Sequence, residues 1–401
     1  MKSIIVVRYG EIGLKGRNRK IFEDQLIKNI SSQLSQYRIW KERGRIFIDG
    51  ELNIKVERVL GNTFGIQNFN AGKLSSLDSK EIEEAAYIVA RKNITNEQNT
   101  FKVETKRPNK NYPMNSLEFS SWLGDKVLRK FDSLKVDVHE PDFTINAEIR
   151  ENHVIITGDK RRGPGGLPVG TGSKALLLLS GGLDSPVAGW YAMKRGLVVD
   201  AIHFRSPPFT GEKALQKVLD LGKQLTNFTG GRSFRIYSVN FTKAQTAIHK
   251  SVFEKYSLVI QRRMMMRIAS NIRKTNGYKA LISGENLGQV ASQTLENIKA
   301  ISEVSDGVVL RPLIGFDKLE IVEKAKAIDT FDISSRPYED CCVMFLPSNP
   351  VTKARLHHVK REEQKIDVGT IVEETLHDIE LFLLKNEEII NREKIDYEQI
   401  Y

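Results

Sequence analysis

The fold turns on Leu176-Leu177-Leu178-Leu179-Ser180-Gly181-Gly182-Leu183-Asp184-Ser185-Pro186. An apolar run ending at Leu179 has the length and content of a strand buried on both faces. Ser180-Gly181-Gly182 breaks it. Asp184 and Ser185 are residue types that cap helices, and Pro186 suits a first turn. Residues 187–193 continue with helical content. A strand, a Gly-rich turn and a helix N-terminus in that order form an anion site: the glycines let backbone N–H groups close on phosphate oxygens, and the helix dipole favours negative charge. A bare Gly-Gly turn, by contrast, is an ordinary connection in an α/β protein.

Outward from this stretch, strands alternate with helices. Strands are expected at 175–179, 198–203, 234–240, 280–283 and 308–311. Helices are expected at 185–194, 211–227, 258–273 and 293–302. That alternation predicts a doubly wound parallel sheet, and residues 371–384 read as a closing amphipathic helix before a polar tail at 386–401. Ligands of such sheets sit at the carboxyl ends of the strands. Residues just after each strand are therefore candidates. His203-Phe204 either flanks a purine or, as a lone histidine after a strand often does, serves the fold alone. In the run Gln261–Arg267 the three methionines suit a helix core, and the arginines are either phosphate partners or solvated. Gly284 and Gln293 bracket a loop that invites backbone approach to a ligand, and Lys318 either reaches a leaving pyrophosphate or is an ordinary first-turn lysine. Gly170-Thr171-Gly172 precedes a strand rather than following one, so it is no dinucleotide fingerprint, and no Walker-type string is present.

The front of the chain reads differently. Residues 1–75 give strand-helix-strand-strand-helix-strand, the ferredoxin-like order. The loop Arg8–Lys20 holds three glycines and five basic residues, either a phosphate-backbone contact or a solvated loop. Residues 76–165 read as a second α/β unit with a hairpin turned by Glu151-Asn152. The Gly/Pro-rich, basic run 158–172 reads as a linker.

The 401 residues carry a net charge of +11, and residues 1–170 hold +7 of it, with 29 basic and 22 acidic side chains. Such a balance suits a polyanion, chiefly nucleic acid, or simply a solvated surface. No apolar run is long enough to cross a membrane, and no secretory signal opens the chain, so a cytoplasmic protein with no membrane partner is expected. Cys341 and Cys342 are adjacent and are the only two cysteines, too few for a zinc site and no disulfide framework. No protein metal site is expected. The pair is either buried and inert or, behind a phosphate loop, a carrier of persulfide sulfur.

The string Ser180–Pro186 resembles the PP-loop of the ATP pyrophosphatases. With Arg8–Gly16, His203–Thr210, Arg262–Arg267, Gly284–Gln293, Arg311–Lys318 and Cys341 in order, the chain is similar over nearly its whole length to the tRNA 4-thiouridine synthetases. The resemblance implies three domains: ferredoxin-like (1–75), THUMP and RNA-binding (76–165), and PP-loop catalytic (173–401). It implies ATP-dependent thiolation of uridine 8 of tRNA, through adenylation of the base and a cysteine persulfide, and sulfur delivery to the carrier protein of thiazole synthesis. ATP with Mg²⁺, tRNA and a cysteine desulfurase are the implied cofactors and partners; a homodimer is compatible with the sequence. Nucleotide contacts are implied at Leu178, Leu179, His203, Phe204, Arg262, Gly284 and Gln293, beside the loop residues Ser180, Gly181, Gly182 and Ser185. Asp184, Lys318 and Cys341 are the implied catalytic residues. The sequence runs to Tyr401 with no rhodanese-like module, so the persulfide is expected directly from a desulfurase or another carrier. Two rivals stand beside this reading, an amide-forming PP-loop synthetase that needs no cysteine and a non-catalytic tRNA-binding protein.

Overall fold

The computed structural model describes residues 1–42, 44–94, 99–338 and 347–395. The chain divides into two compact units, Met1–Leu167 and Pro168–Tyr401.

The first unit opens with β1 (Lys2–Tyr9), α1 (Arg19–Ser31), β2 (Ile39–Glu42), β3 (Arg45–Asp49), α2 (Ile54–Asn62) and β4 (Ile66–Ser75). It continues with α3 (Ser79–Arg91), β5 (Asn99–Lys106), α4 (Ser116–Lys130), β6 (Leu134–Val136), β7 (Phe143–Ile149), β8 (Val154–Thr157) and β9 (Arg161–Arg162). The first four strands lie in the order β2-β3-β1-β4, the ferredoxin-like arrangement expected from the sequence. The sheet does not stop there. β4 also pairs with β8, and the order runs on through β7, β5 and β6 to give one nine-stranded sheet. In β1, Ile5 and Val7 face a core built with α1 and α2. Ile4 and Val6 point the other way, into a small cluster with Phe47 and Ile155. Phe101, Ile145 and Ile156 pack with α3 and α4. The basic run 158–172 is not free linker throughout: Arg161 and Arg162 pair with Phe69 and Asn68 on β4.

The second unit contains β10 (Lys174–Leu178), α5 (Asp184–Lys194), β11 (Val198–Arg205), α6 (Glu212–Leu225), β12 (Phe234–Asn240), α7 (Thr242–Ser251), α8 (Ser257–Thr275) and β13 (Ala280–Ile282). Then come α9 (Leu295–Ser302), β14 (Val308–Leu310), α10 (Lys318–Ala327), α11 (Phe331–Ser334), α12 (Leu356–Glu363), α13 (Val368–Leu376), β15 (Ile379–Lys385) and β16 (Glu388–Ile395). The sheet order is β14-β13-β10-β11-β12-β15-β16, parallel from β14 to β12. The last two strands are antiparallel, which corrects the expected closing helix over 371–384 beyond Leu376 and, as far as Ile395, the expected polar tail over 386–401; residues 396–401 lie outside the described residues. Helix α13 ends at Leu376, and the apolar run after it pairs with the open edge of β12. Asn386 and Glu387 both sit at positive φ (51° and 66°), as a two-residue hairpin turn requires. The methionines Met264, Met265 and Met266 pack into the core as read. No helix among the described residues is long and apolar enough to cross a membrane.

Candidate functional site

The parallel strands run β10, β11, β12 in one direction from the centre of the sheet, and β13 returns on the other side of β10. The crevice between the carboxyl ends of β10 and β13 is thus the switch point where such sheets take ligands. The loop after β10 and the loop after β13 meet there. A Cβ added to Gly284 would lie 2.8 Å from the Ser185 backbone nitrogen and 2.9 Å from the Asp184 carbonyl carbon, so only glycine permits this approach.

Two serines fold the first loop. The Ser180 N–H donates to Ser185 Oγ (3.0 Å), Ser185 Oγ donates to Ser180 O (3.1 Å), and the Gly182 N–H donates to Ser180 Oγ (3.3 Å). The sequence cast Asp184 and Ser185 as helix caps. The N-cap is instead Leu183, which offers no side-chain bond. The first N–H groups of α5 have no capping side chain and the dipole's positive end is open to an anion.

Asp184, in the first turn of α5, accepts from Lys318 Nζ at 2.9 Å and from Gln289 Nε2 at 3.3 Å. Lys318 opens α10, which Asp317 caps, with Glu320 completing a capping box. A lysine at a helix N-terminus opposes the dipole. Its placement there aims an ammonium across the loop mouth.

Beside the loop lies a cavity of about 170 Å³, lined among others by Leu178, Leu179, Ser180, Asp184, Ser185, His203, Phe204, Arg262, Gly284 and Gln293. Pockets that enclose a whole small ligand run to roughly 300–1,000 Å³. This one has room for a purine, and a triphosphate would have to run out over the loop. Its inner wall is Leu178, Phe204 and Met265, with Phe204 edge-on to Phe241 at 5.4 Å. His203 is buried, and its Nδ1 donates to Leu179 O at 3.1 Å, tying β11 to the loop and setting the ring's tautomer. Gln293 Oε1 and Arg262 Nε are buried with no hydrogen-bond partner among the described residues. Such groups are finished by a ligand or water.

The structure therefore gathers most of the sequence candidates around one crevice. Gly181 and Gly182 belong to the loop but do not line the cavity. Cys341 and Cys342 lie outside the described residues. Arg263, one of the run's arginines, is neither solvated nor part of the cavity lining: it is 1% exposed and donates to Glu363 through Nε (3.0 Å) and Nη2 (2.8 Å). Sequence reasoning missed Ile202, Met265, Ser283 and Glu285, which also line the cavity. Glu285 is the unexpected one, a carboxylate 5% exposed in an anion's pocket. Arg311 Nε holds it at 2.8 Å and Arg262 Nη1 lies 3.8 Å away, so it anchors Arg262 instead of meeting the ligand alone. Its place between Gly284 and Gln293 was the available signal.

Comparison with known proteins agrees with this geometry. The ThiI thiamine biosynthesis protein family model matches residues 170–368, a THUMP domain model residues 77–159, and a ThiI ferredoxin-like domain model residues 4–70. A probable tRNA sulfurtransferase of Bacillus licheniformis is 45% identical over 390 residues, 96% of each chain. One from Thermotoga maritima is 45% identical over 92% of this chain and 96% of its own. Among solved structures, a 4-thiouridine synthetase–RNA complex with bound ATP is 44% identical, with a TM-score of 0.90 over 96% of this chain and all of that one. PH1313 from Pyrococcus horikoshii, 23% identical with a TM-score of 0.63 over 82% of this chain and 99% of its own, shares the fold. The chain belongs to the ThiI family of tRNA sulfurtransferases.

Proposed function

We propose that this protein binds ATP in the β10–β13 crevice and uses it to thiolate uridine 8 of tRNA at position 4. The observation that carries this reading is the crevice itself. An uncapped helix N-terminus, the Asp184–Lys318 pair and a cavity of purine size stand side by side. The bound ATP and RNA of the 44% identical 4-thiouridine synthetase support it.

The chemistry has two stages. The base seats in the cavity between Phe204, His203 and Leu178, with Arg262 and Gln293 completing its polar contacts, and the triphosphate lies over Ser180–Ser185. Uridine O4 attacks the α-phosphorus and pyrophosphate leaves. Loop amides, the α5 N-terminus and Lys318 stabilise the charge that builds up, in the manner of an oxyanion hole. A Mg²⁺ ion fits this donor set, since that ion takes one or two carboxylates plus substrate phosphates. Asp184 would hold it, and the ion would neutralise charge on the departing pyrophosphate. The terminal sulfur of a Cys341 persulfide then adds to C4 of the adenylated base, and AMP departs. A second thiol cleaves the S–S bond, leaving sulfur on the base and a disulfide to Cys341.

Domains at 1–75, 76–165 and 173–401 belong to the same proposal, with the second holding RNA; the matched ranges 4–70, 77–159 and 170–368 support it. A cytoplasmic setting, a cysteine desulfurase as donor and a second output of sulfur to the thiazole-synthesis carrier protein complete it. The family model's description as a thiamine biosynthesis protein supports the last. The test is nucleoside mass spectrometry of tRNA from cells lacking this gene, with the purified protein added back alongside ATP, a desulfurase and cysteine. Loss and recovery of 4-thiouridine is the expected outcome. Unchanged 4-thiouridine in the deletion would overturn the reading.

A further inference from the structure

The chain between α11 and Tyr338 is stitched to its surroundings by side chains that the reaction above does not use. Lys217 of α6 is 6% exposed, and its Nζ donates to Arg336 O at 3.0 Å and to Tyr338 O at 3.2 Å. One turn on, Asp220 accepts from Arg336 Nη1 at 2.5 Å. One turn back, the Lys213 ammonium sits 5.7 Å from the centre of the Tyr338 ring. These three positions are spaced four and three apart, so they form one stripe of the helix. From the other side, Ser334 Oγ donates to Gly182 O at 3.2 Å, which ties the same stretch to the phosphate loop.

Burying an ammonium is costly unless its hydrogens are satisfied, and an apolar residue of similar length would fill the space without that cost. What Lys217 adds is specificity, since its donors fix two carbonyls of a backbone stretch outside regular secondary structure. Tyr338 precedes Cys341 by three residues, and three residues span at most about 11 Å. Whatever fixes Tyr338 therefore fixes the point from which the chain runs on to Cys341.

We propose that the Lys213–Lys217–Asp220 stripe of α6 anchors the stem of the sulfur-carrying segment beside the phosphate loop, with Lys217 as its positioning residue. This rests on the reading that Cys341 carries the sulfur. The anchor serves the second stage alone. Adenylation needs the nucleotide crevice and the base. Sulfur transfer needs, in addition, a persulfide held within reach of the activated carbon, where effective concentration sets the rate.

Full-length Lys217→Met and Lys217→Arg are compared with wild type for tRNA-dependent pyrophosphate release and for 4-thiouridine formed in the same reaction with a desulfurase and cysteine. Lys217→Met should keep pyrophosphate release within about threefold while thiolation falls about tenfold or more, and Lys217→Arg should recover most of the loss. Asp220→Asn weakens the hold on Arg336, along with local contacts to Gln216 and Lys223 within α6, and should uncouple the two products in the same direction by less; it reads the anchor even where Lys217→Met does not fold. An unchanged ratio of 4-thiouridine to pyrophosphate in these variants overturns the anchor. Full thiolation by Cys341→Ser overturns instead the reading on which it rests.

Discussion

The β10–β13 crevice of the second unit and the sheet of the first use charge in opposite ways. In the crevice, strand ends and helix α8 bring the lining side chains together, and two are left unfinished: Gln293 Oε1 and Arg262 Nε have no hydrogen-bond partner among the described residues. In the first unit the positive charge is larger, but much of it is already spent on the fold. Arg150 is bound to Glu148 at 2.8 Å and to Glu42 at 3.1 Å, and Lys41 pairs with Asp24 at 2.6 Å. Burial, then Arg45, pushes the half-buried Arg8 guanidinium down to about 10, and Asn70 Oδ1 accepts from it at 2.7 Å. The lesson is that a net charge counts residues, while a ligand meets only those with a free valence.

The sharpest way to break the comparison is at Asp184. Asp184→Ala removes the carboxylate facing Lys318 and should lower tRNA-dependent pyrophosphate release by about 10²-fold or more, the scale of losing one stabilising group in a preorganised site. Affinity for tRNA should stay within a few-fold. Turnover near wild type would empty the crevice of its assigned role.

A second prediction concerns a charge cluster in the second unit that resembles those of the first. Glu363 accepts from Arg263 (2.8 Å) and from Arg267 (2.5 Å). Burial alone would raise its pKa, yet the two guanidiniums hold it down to about 2, against 4.5 for a free glutamate. A depressed carboxylate contributes stability above the unfolded value and loses it as pH falls toward the folded one. The window is therefore about pH 4.5 down to 2, and the amount is on the order of 3 kcal/mol. Glu363→Gln should lose part of that amount at pH 7, because the buried Arg263 keeps only Glu303, at 3.0 Å, as a counter-charge. The variant should then show a flatter loss with acid. Urea unfolding at pH 7, 4 and 3 measures both. Parallel curves for the two proteins would mean that the cluster does not sense pH.

Gly284→Ala tests the crevice through shape. Its Cβ would meet the backbone of Asp184 and Ser185, which cannot swing aside as a side chain can. The KM for ATP should rise about tenfold, since a misplacement near 1 Å is costly in such sites. An unchanged KM would show that the two loops can part freely.

These cases also mark what the sequence could tell. The phosphate loop, Gly284 and Lys318 were legible because each follows a strand, and His203-Phe204 because they lie at the carboxyl end of β11, where strand ends converge in this class of sheet. The β15–β16 hairpin was not, because residues 371–384 merge a helix end and a strand into one apolar stretch whose period is ambiguous. Only the open edge of β12 decides it. The Arg263–Glu363 pair spans 100 residues and the Lys217–Arg336 contact 119, separations at which no local pattern exists. The single sheet of the first unit was hidden for the same reason: β4 reads as the end of one motif and is also the start of the next.

The smallest expected effect sharpens the comparison most. Of the five basic residues from Arg8 at the end of β1 to Lys20 in the first turn of α1, Lys15 pairs with Glu11 at 3.4 Å, Arg19 pairs with Glu23 at 2.7 Å, and Arg8 is half-buried. Arg17 and Lys20 are exposed and make no ion pair among the described residues. If the first unit holds the RNA backbone, these two are the cations of this stretch left for it. Each phosphate neutralised releases counterions, so the log of affinity falls linearly with the log of salt, with a slope near −0.7 to −0.9 per contact. Arg17→Ala and Lys20→Ala should each weaken tRNA binding a few-fold at low salt and reduce that slope by about 1. Lys41→Ala, which removes a cation already committed to Glu23 and Asp24, should change the slope by much less. Binding by the full-length protein is followed by filter retention across a salt series. Equal slope changes for Lys41 and Lys20 would mean that paired and unpaired cations meet the RNA alike, and that net charge was the better guide after all.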